Sequence, residues 1–291
     1  MASHVKLGTF NINNLFDRFA DPYNKEDLGY RMHQRYRRPL ELINTWKRAQ
    51  LILAQVPDVL ALQEVENKGT LWEFNASHLG NHFQHLVLIE GNDFRGIDVA
   101  VASRLPIGRV TSHQFRYHPD STTDDHTVFS RDLLEVEILH RWRTEVLFTL
   151  FVTHLKSKYI NPSYRGEKRE AKERRNNDLR RLQVQTTVEI VQEHFVGMSD
   201  PRYAIVGDFN DTPDSEPLAP LAALGCYNVL HDLPESERWT LRFQRKQHQF
   251  DYIWLSPALA ACRVPGSVFV DPKEGMSEAS DHRPVYVELE I

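Results

Sequence analysis

The sequence predicts an α/β protein made of two packed β-sheets with helices on the outside. Many short apolar runs of strand length recur from Val5 to Leu289, but only two stretches have the length and spacing of long helices. Strict β-α-β alternation therefore does not fit, and two sheets packed face to face do. No repeat, low-complexity tract or Gly/Ser/Pro-rich linker divides the 291 residues, so one domain over 1–291 is expected.

The elements follow in order. Val5–Ile12 alternates as a strand and ends in Asn11-Ile12-Asn13-Asn14. A polar stretch runs from Asp17 to Arg38, its second half mixing arginines with Tyr30 and Tyr36. Pro39 suits a helix start, and Leu40–Val56 reads as an amphipathic helix with Ile43, Trp46, Ala49, Gln50 and Leu53 facing inward. Pro57 ends it. Val59-Leu60-Ala61-Leu62 is a continuous apolar run, hence a strand buried on both faces, and it leads into Gln63-Glu64. Further strands are expected at His85–Glu90, Ile97–Ser103, Leu133–Leu139 and Glu145–His154, the last two forming a hairpin around Arg141-Trp142-Arg143. A second long helix spans about Lys172–His194. The strand Tyr203–Asp208, a short helix near Pro217–Leu224, and strands at Phe250–Leu255, Val264–Val270 and Pro284–Leu289 complete the chain.

Composition sets limits. Apolar content of 41% and charged content of 26% are those of an ordinary globular chain. A net charge of −5 argues against blanket electrostatic binding of nucleic acid but leaves room for local basic patches. The two cysteines, Cys226 and Cys262, have no metal-type spacing and read as buried thiols. No apolar run reaches membrane-spanning length, so no membrane partner is expected. Met1-Ala2-Ser3-His4-Val5-Lys6 lacks the apolar core of a secretory signal, which favours a cytoplasmic protein. A trimmed signal peptide would instead make it secreted or periplasmic.

Charged and polar residues cluster where apolar runs stop. Asp208 and Asn210 follow Tyr203–Gly207 two residues apart, and on an extended chain they would point the same way. Glu64 sits at the mouth of a buried strand, which is costly unless the charge is paired or metal-bound. A salt-bridged strand-end glutamate is the plain alternative. His154 closes the run Leu147–Thr153. It is either a hydrogen-bonded histidine or a donor to a phosphoryl oxygen, and the second role needs an acid to fix the ring. Asp98, inside the apolar run Ile97–Ala102, is the leading candidate for that acid. Asp251 opens Tyr252–Leu255, and Asp281-His282 precedes the last strand. The natural division gives Asp281 to a metal and His282 to substrate, with Asp251 orienting His282. Solvated loop charges are the alternative. The set is rich in carboxylate, amide and imidazole and has no cysteine, which selects Mg²⁺ or Mn²⁺, with Ca²⁺ also compatible, over structural zinc. No Walker A, H-E-x-x-H or G-x-S-x-G pattern competes.

In this order, Thr9-Phe10-Asn11, Leu62-Gln63-Glu64-Val65, Thr153-His154-Leu155, Gly207-Asp208-Phe209-Asn210, Phe250-Asp251-Tyr252 and Ser280-Asp281-His282 resemble the endonuclease/exonuclease/phosphatase superfamily. Arg95–Ala100, Ser130–Val136 and His154–Lys158 are similar to a bacterial nuclease-like branch of it. The resemblance implies a four-layer αββα sandwich of two mixed β-sheets flanked by helices, as in deoxyribonuclease I, and divalent-metal phosphoester hydrolysis. It implies Glu64 as principal metal ligand, helped by Asp281 and Asn11. Asp208 would activate water or join a second metal position, and Asn210 would bind phosphate or the nucleophile. His282, oriented by Asp251, and His154, partnered by Asp98, would stabilise the phosphoryl group or move protons. Arg131 resembles a phosphate-binding arginine. Asn13 stands where repair nucleases often carry Asp, which weakens an apurinic-site reading.

Substrate class follows from charge. Between Lys156 and Arg181 ten Lys/Arg face four acids, a net of +6 directly after His154. With Lys156, Lys158 and the Tyr30–Arg38 stretch, this insertion could line a phosphate-backbone track. A solvated helix laced by Glu–Lys/Arg pairs fits nearly as well. The expectation is a nuclease of little sequence specificity, monomeric, acting on DNA, with RNA as the second candidate. The alternatives are a phosphoesterase of lipid or inositol phosphates, or a catalytically inactive nucleic-acid-binding scaffold. Endo- against exonuclease, and one metal against two, stay open.

Overall fold

The structure, a computed structural model, describes residues 3–16, 38–93, 95–123, 125–142, 144–161, 163–243, 246–272 and 279–291. The Tyr30–Tyr36 stretch and Arg143 lie outside the described residues. So do the side chains of Arg38 to Ile43.

Two six-stranded mixed sheets pack face to face. The first contains β1 (His4–Leu15), β2 (Val59–Val65), β3 (His85–Leu88), β4 (Asp98–Ser103), β13 (Phe269–Val270) and β14 (Val285–Glu290), in the order β13-β14-β1-β2-β4-β3. The second contains β5 (Ile107–Ser112), β6 (Leu133–Leu139), β7 (Val146–His154), β8 (Tyr203–Asp208), β9 (Tyr227–Asn228) and β12 (Asp251–Leu255), in the order β5-β6-β7-β8-β12-β9. A separate hairpin pairs β10 (Leu241–Phe243) with β11 (Lys246–His248). Helices α1 (Arg38–Gln55) and α2 (Lys68–His78) cover the first sheet, and α3 (Gly166–His194) covers the second.

Alternation along the strands explains the layers. Val5, Leu7, Val59, Ala61, Leu150, Val152, Ala204, Val206, Ile253 and Leu255 share the core between the sheets. Their neighbours point outward. Phe10, Leu60 and Leu62 meet Ile52, Leu71 and Phe74 of the first helical layer. Phe151, Tyr203 and Ile205 meet Val184, Ile190 and Val191 of α3. Both sheets are thus buried on both faces, the reason Val59–Leu62 shows no polar alternation.

Several elements differ from the sequence reading. In α1, Trp46 is 56% exposed and Gln50 is exposed. The buried stripe is Arg48, Ala49, Leu51 and Ile52, and the Arg48 guanidinium is hydrogen-bonded internally: Nε donates to Ala279 O at 2.6 Å and Nη2 to Asn13 O at 2.7 Å. α3 begins at Gly166, ahead of Lys172, and its first turns are polar and mostly exposed, so they carry no apolar periodicity to mark the start. α2, β5 and the β10–β11 hairpin had no sequence signal strong enough to find. Of the run Val264–Val270 only Phe269–Val270 pairs. Cys226 is buried, but Cys262 is only partly so; both are free.

Candidate active site

The same period of two that builds the core also aims the polar residues. Ala204 and Val206 face the other sheet, so Asp208 does too; Leu150 and Val152 carry His154 with them, and Ile253 and Leu255 carry Asp251. Register then sets them side by side. His154 pairs with Asp208 in the parallel β7–β8 ladder, and Asp251 pairs with Asp208 in the antiparallel β8–β12 ladder. His154, Asp208 and Asp251 form a row across three adjacent strands. Gly207 makes the ladder possible: its φ is +135°, and a Cβ there would lie 1.9 Å from Thr153 O.

The row is knit by hydrogen bonds. Asp208 Oδ1 accepts the Asn210 N–H at 2.8 Å, and Oδ2 accepts from Asn11 Nδ2 at 3.0 Å. His154 Nε2 lies 3.4 Å from Asp208 Oδ2. His282 Nδ1 lies 2.7 Å from Asp251 Oδ2, and its Nε2 is 3.8 Å from Asp208 Oδ2. Asn210 Nδ2 donates to Leu155 O at 3.1 Å. The base of the small hairpin braces the Asp251–His282 pair: Thr240 Oγ1 accepts the N–H groups of Phe250 and Asp251 at 3.0 Å, and Leu241 bridges His282.

Asp208 and Asn210 do not sit on one extended strand. β8 ends at Asp208, and Asn210, with φ +52°, is folded back by the hydrogen bond from its N–H to the Asp208 carboxylate. The first sheet contributes through similar irregularities. By alternation Glu64 would follow Leu60 and Leu62 toward the helices; instead a bulge between Gln63 and Val65, with φ +66° at Glu64, redirects it. Asn13, at φ +53°, donates from Nδ2 to Asp281 Oδ1 at 3.0 Å, and its N–H is held by Asn11 Oδ1 at 3.0 Å. Ser280 Oγ donates to Asn11 O at 2.7 Å and accepts the His282 N–H at 3.0 Å, tying the last loop to the first strand.

One expected contact is absent. Asp98 is not the partner of His154. Its Oδ1 accepts the Gly91 N–H at 2.8 Å, while His154 Nδ1 has no hydrogen-bond partner among the described residues. Asp98 pairs with Val65 on the far side of β2, and the acid beside His154 is Asp208. Arg131 is buried, its Nε 3.0 Å from Asp93 Oδ2 and its Nη1 3.4 Å from Leu155 O. Lys158 is ion-paired with Asp211, which also accepts from the fully buried Arg180 at 2.8 Å. Sequence reasoning missed four of these residues: Arg48, Asp93, Asp211 and Arg180. A buried arginine inside a charged helix looks like any other helix-surface cation.

Electrostatics divides the histidines. Burial, followed by the charges of Arg131 and Arg95, holds His154 well below the usual imidazole range. Burial would do the same to His282, but the Asp251 carboxylate and then Asp208 overcome it and hold the ring well above. His154 is neutral and His282 is an imidazolium at neutral pH. Burial pushes Asp208 up to about 7, against the opposing pull of His282. Glu64 is also raised, chiefly by burial and further by Asp281, which shows that these two carboxyl groups share one locality.

These residues fit a divalent cation. Glu64, Asp281, Asn11, Asp208 and Asn210 offer only carboxylate and amide oxygens, the donor set of a hard ion, and the nearby cations do not fully offset the burial of Glu64 and Asp208. Among the described residues, metal-capable atoms of Asp208, Asp251 and His282 lie within 4.8 Å of one another. Two of these three residues are already bonded to each other at 2.7 Å, so the oxygen-lined side toward Glu64 and Asp281 is the better seat.

A model of the Endonuclease/Exonuclease/phosphatase family matches residues 8–282. The chain belongs to that family. It is a hydrolase acting on phosphoester bonds, of a family that typically uses divalent metals. Solved structures share the fold. Truncated TDP2 from Caenorhabditis elegans is 14% identical, with 99% of this chain and 98% of that chain covered at a TM-score of 0.61. The human Nocturnin catalytic domain, with a bound sulfate anion, is 17% identical, with 99% and 96% covered and a TM-score of 0.60. The 3′ phosphatase NExo from Neisseria, bound to a product DNA hairpin, is 19% identical, with 99% and 100% covered and a TM-score of 0.59. No curated protein matches the sequence.

Proposed function

We propose that this hydrolase is a nuclease, cleaving phosphodiesters of DNA with little sequence specificity and using Mg²⁺ or Mn²⁺. The observation that carries the reading is the row His154–Asp208–Asp251 with His282 bonded to its end. NExo, a relative by fold, is described with a product DNA hairpin, which supports nucleic acid as the substrate class. The net charge of +6 between residues 156 and 181 adds to that support.

Glu64 and Asp281, with Asn11, Asp208 and Asn210 at the rim, would hold the cation. When bound, it would neutralise a phosphoryl oxygen and acidify a water. Asp208, pushed up to about 7, is suited to accept a proton from the attacking water near neutral pH. The neutral His154 and the amide of Asn210 donate hydrogen bonds to phosphoryl oxygens, strongest when charge builds on them. The His282 imidazolium, held by Asp251, neutralises that charge and protonates the leaving oxygen. Arg131, held by Asp93, would add positive charge beside the phosphoryl group. Asp98 keeps a structural role as the cap on Gly91.

The test is a substrate panel of plasmid DNA, single-stranded DNA, RNA, sphingomyelin and bis(4-nitrophenyl) phosphate, with Mg²⁺, Mn²⁺ or EDTA. DNA cleavage that EDTA abolishes is the expected result. Turnover confined to sphingomyelin would replace the nuclease reading by the lipid one.

A further inference from the structure

A half-open cavity of about 620 Å³ lies between Thr122, Thr123, Asp125 and Thr127 on one side and the first half of α3 on the other. Lys156, Lys172, Arg175 and Asn176 line one side, and Thr122 and Asp125 the other. Among the described residues, the cations there outnumber the free acids. Three acids in the first half of α3 are spent elsewhere: Glu173 pairs with Arg169 at 3.1 Å, Glu170 with Arg174 at 3.9 Å and Asp178 with Arg181 at 2.6 Å. Lys172 has Lys168, Arg169, Arg175 and Asn176 as its helical neighbours three and four residues away, and none is an acid. Neither Lys156 nor Lys172 has an acidic partner for its ammonium group among the described residues.

Two acids line the cavity, and only Asp125 keeps a charge unpaired by a cation, offsetting one of the three cations. Asp93 is bound by Arg95 at 2.9 Å and Arg131 at 3.0 Å. Asp125 is exposed and accepts from Thr127 N at 3.2 Å and Thr127 Oγ1 at 2.8 Å. Lys156, by contrast, is fixed in place. Its N–H donates to Gln183 Oε1 at 2.8 Å and its carbonyl accepts from Arg180 Nη1 at 2.8 Å. Lys156 is also two residues beyond His154, so the cavity adjoins the catalytic row. Burial, then Arg131 and Lys172, lowers its pKa to about 8, a cost that a bound anion would relieve.

We propose that this cavity is a second phosphate subsite, taking the phosphate next to the one being hydrolysed. It goes beyond the nuclease reading but rests on it. The volume exceeds that of a phosphate alone and lies within the roughly 300–1,000 Å³ of small-ligand sites, leaving room for the attached sugar. The phosphate could be an internal diester or a terminal monoester; both offer the same anionic oxygens to Lys156, Lys172 and Arg175.

Calorimetric titrations in EDTA with TpT, TpTpT and pTpT test it. TpT carries one phosphate, TpTpT adds an internal one and pTpT a terminal one. The wild-type protein should bind at least one of the two-phosphate ligands about fivefold or more tighter than TpT, and the ligand that gains identifies the source. Lys172→Gln should erase that gain while leaving TpT binding within about twofold. Its melting temperature, equal to wild type, would show an intact fold. Equal affinity for all three ligands, or a gain that survives Lys172→Gln, overturns the subsite and leaves the nuclease reading standing. No binding of any of the three in EDTA also overturns the subsite, and the nuclease reading then rests on its own substrate panel.

Discussion

The two sheets build their shares of the site in opposite ways. The second sheet uses regular pairing: β7, β8 and β12 stay in register to their ends, and simple alternation delivers His154, Asp208 and Asp251 to one face. The first sheet uses exceptions. Glu64 leaves a bulge at φ +66°, and Asn13 and Asn14 have φ +53° and +63°. Non-glycine residues in that region are costly and persist where surrounding structure enforces them. The regular half can hold fixed hydrogen bonds between neighbours, as proton transfer requires. The irregular half can gather side chains that strand geometry would keep apart, as a cation requires.

The largest expected effect breaks the regular half at its centre. Asp208→Asn should lower kcat/KM by about 10⁴-fold or more, since it removes the proposed base and a cation ligand together. Its effect on stability has a definite sign. A folded-state pKa of about 7, raised from 3.8, gives stability that is full below the unfolded value and lost as pH rises through 7. Metal-free wild-type protein should therefore lose part of its melting temperature between pH 6 and 8, and Asp208→Asn should lose less. A larger loss in the mutant would sink the assignment.

His282→Ala should cost about 10²–10⁴-fold in kcat. Asp251→Asn separates position from charge. Burial then dominates at His282, its pKa falls, and the alkaline limb of the rate profile moves to lower pH. A profile that keeps its shape would mean that Asp251 does not set the charge of His282.

Cation affinity sharpens the contrast between halves. Its ligands must be ionised, and both Glu64 and Asp208 are raised, so Mn²⁺ should bind at least about tenfold tighter at pH 8 than at pH 6. Titration calorimetry at the two pH values checks this. The smallest expected effect is at Asn13. Asn13→Gly relieves a left-handed residue but loses the hydrogen bond to Asp281, so stability should change by no more than about 1 kcal/mol while Mn²⁺ binding weakens severalfold. Denaturant melts and metal titrations on the same variant separate the two.

Legibility in the sequence follows the same division. The two-sheet architecture, most strands and the row His154–Asp208–Asp251 were readable because a period of two carries from the core straight into the site. Alternation had no power at Glu64 or Asn210, where a positive φ decides the direction; their places at strand ends singled them out, and their roles came from family resemblance. Asp98 was misassigned because an acid within an apolar strand invites a catalytic partner, whereas a backbone N–H at Gly91 satisfies it. Arg48 and Arg180 were missed because burial of a guanidinium depends on carbonyls and acids from distant segments: Ala279 for one, Asp211 for the other.

The most direct test of the account is Mn²⁺ titration of wild type against Glu64→Gln at pH 8. The amide keeps the shape of the side chain and removes its charge. If Glu64 and its neighbours from both sheets form one cation site, the substitution should weaken Mn²⁺ binding by about 100-fold or more and leave the metal-free melting temperature equal or higher. Unchanged Mn²⁺ affinity would contradict the account.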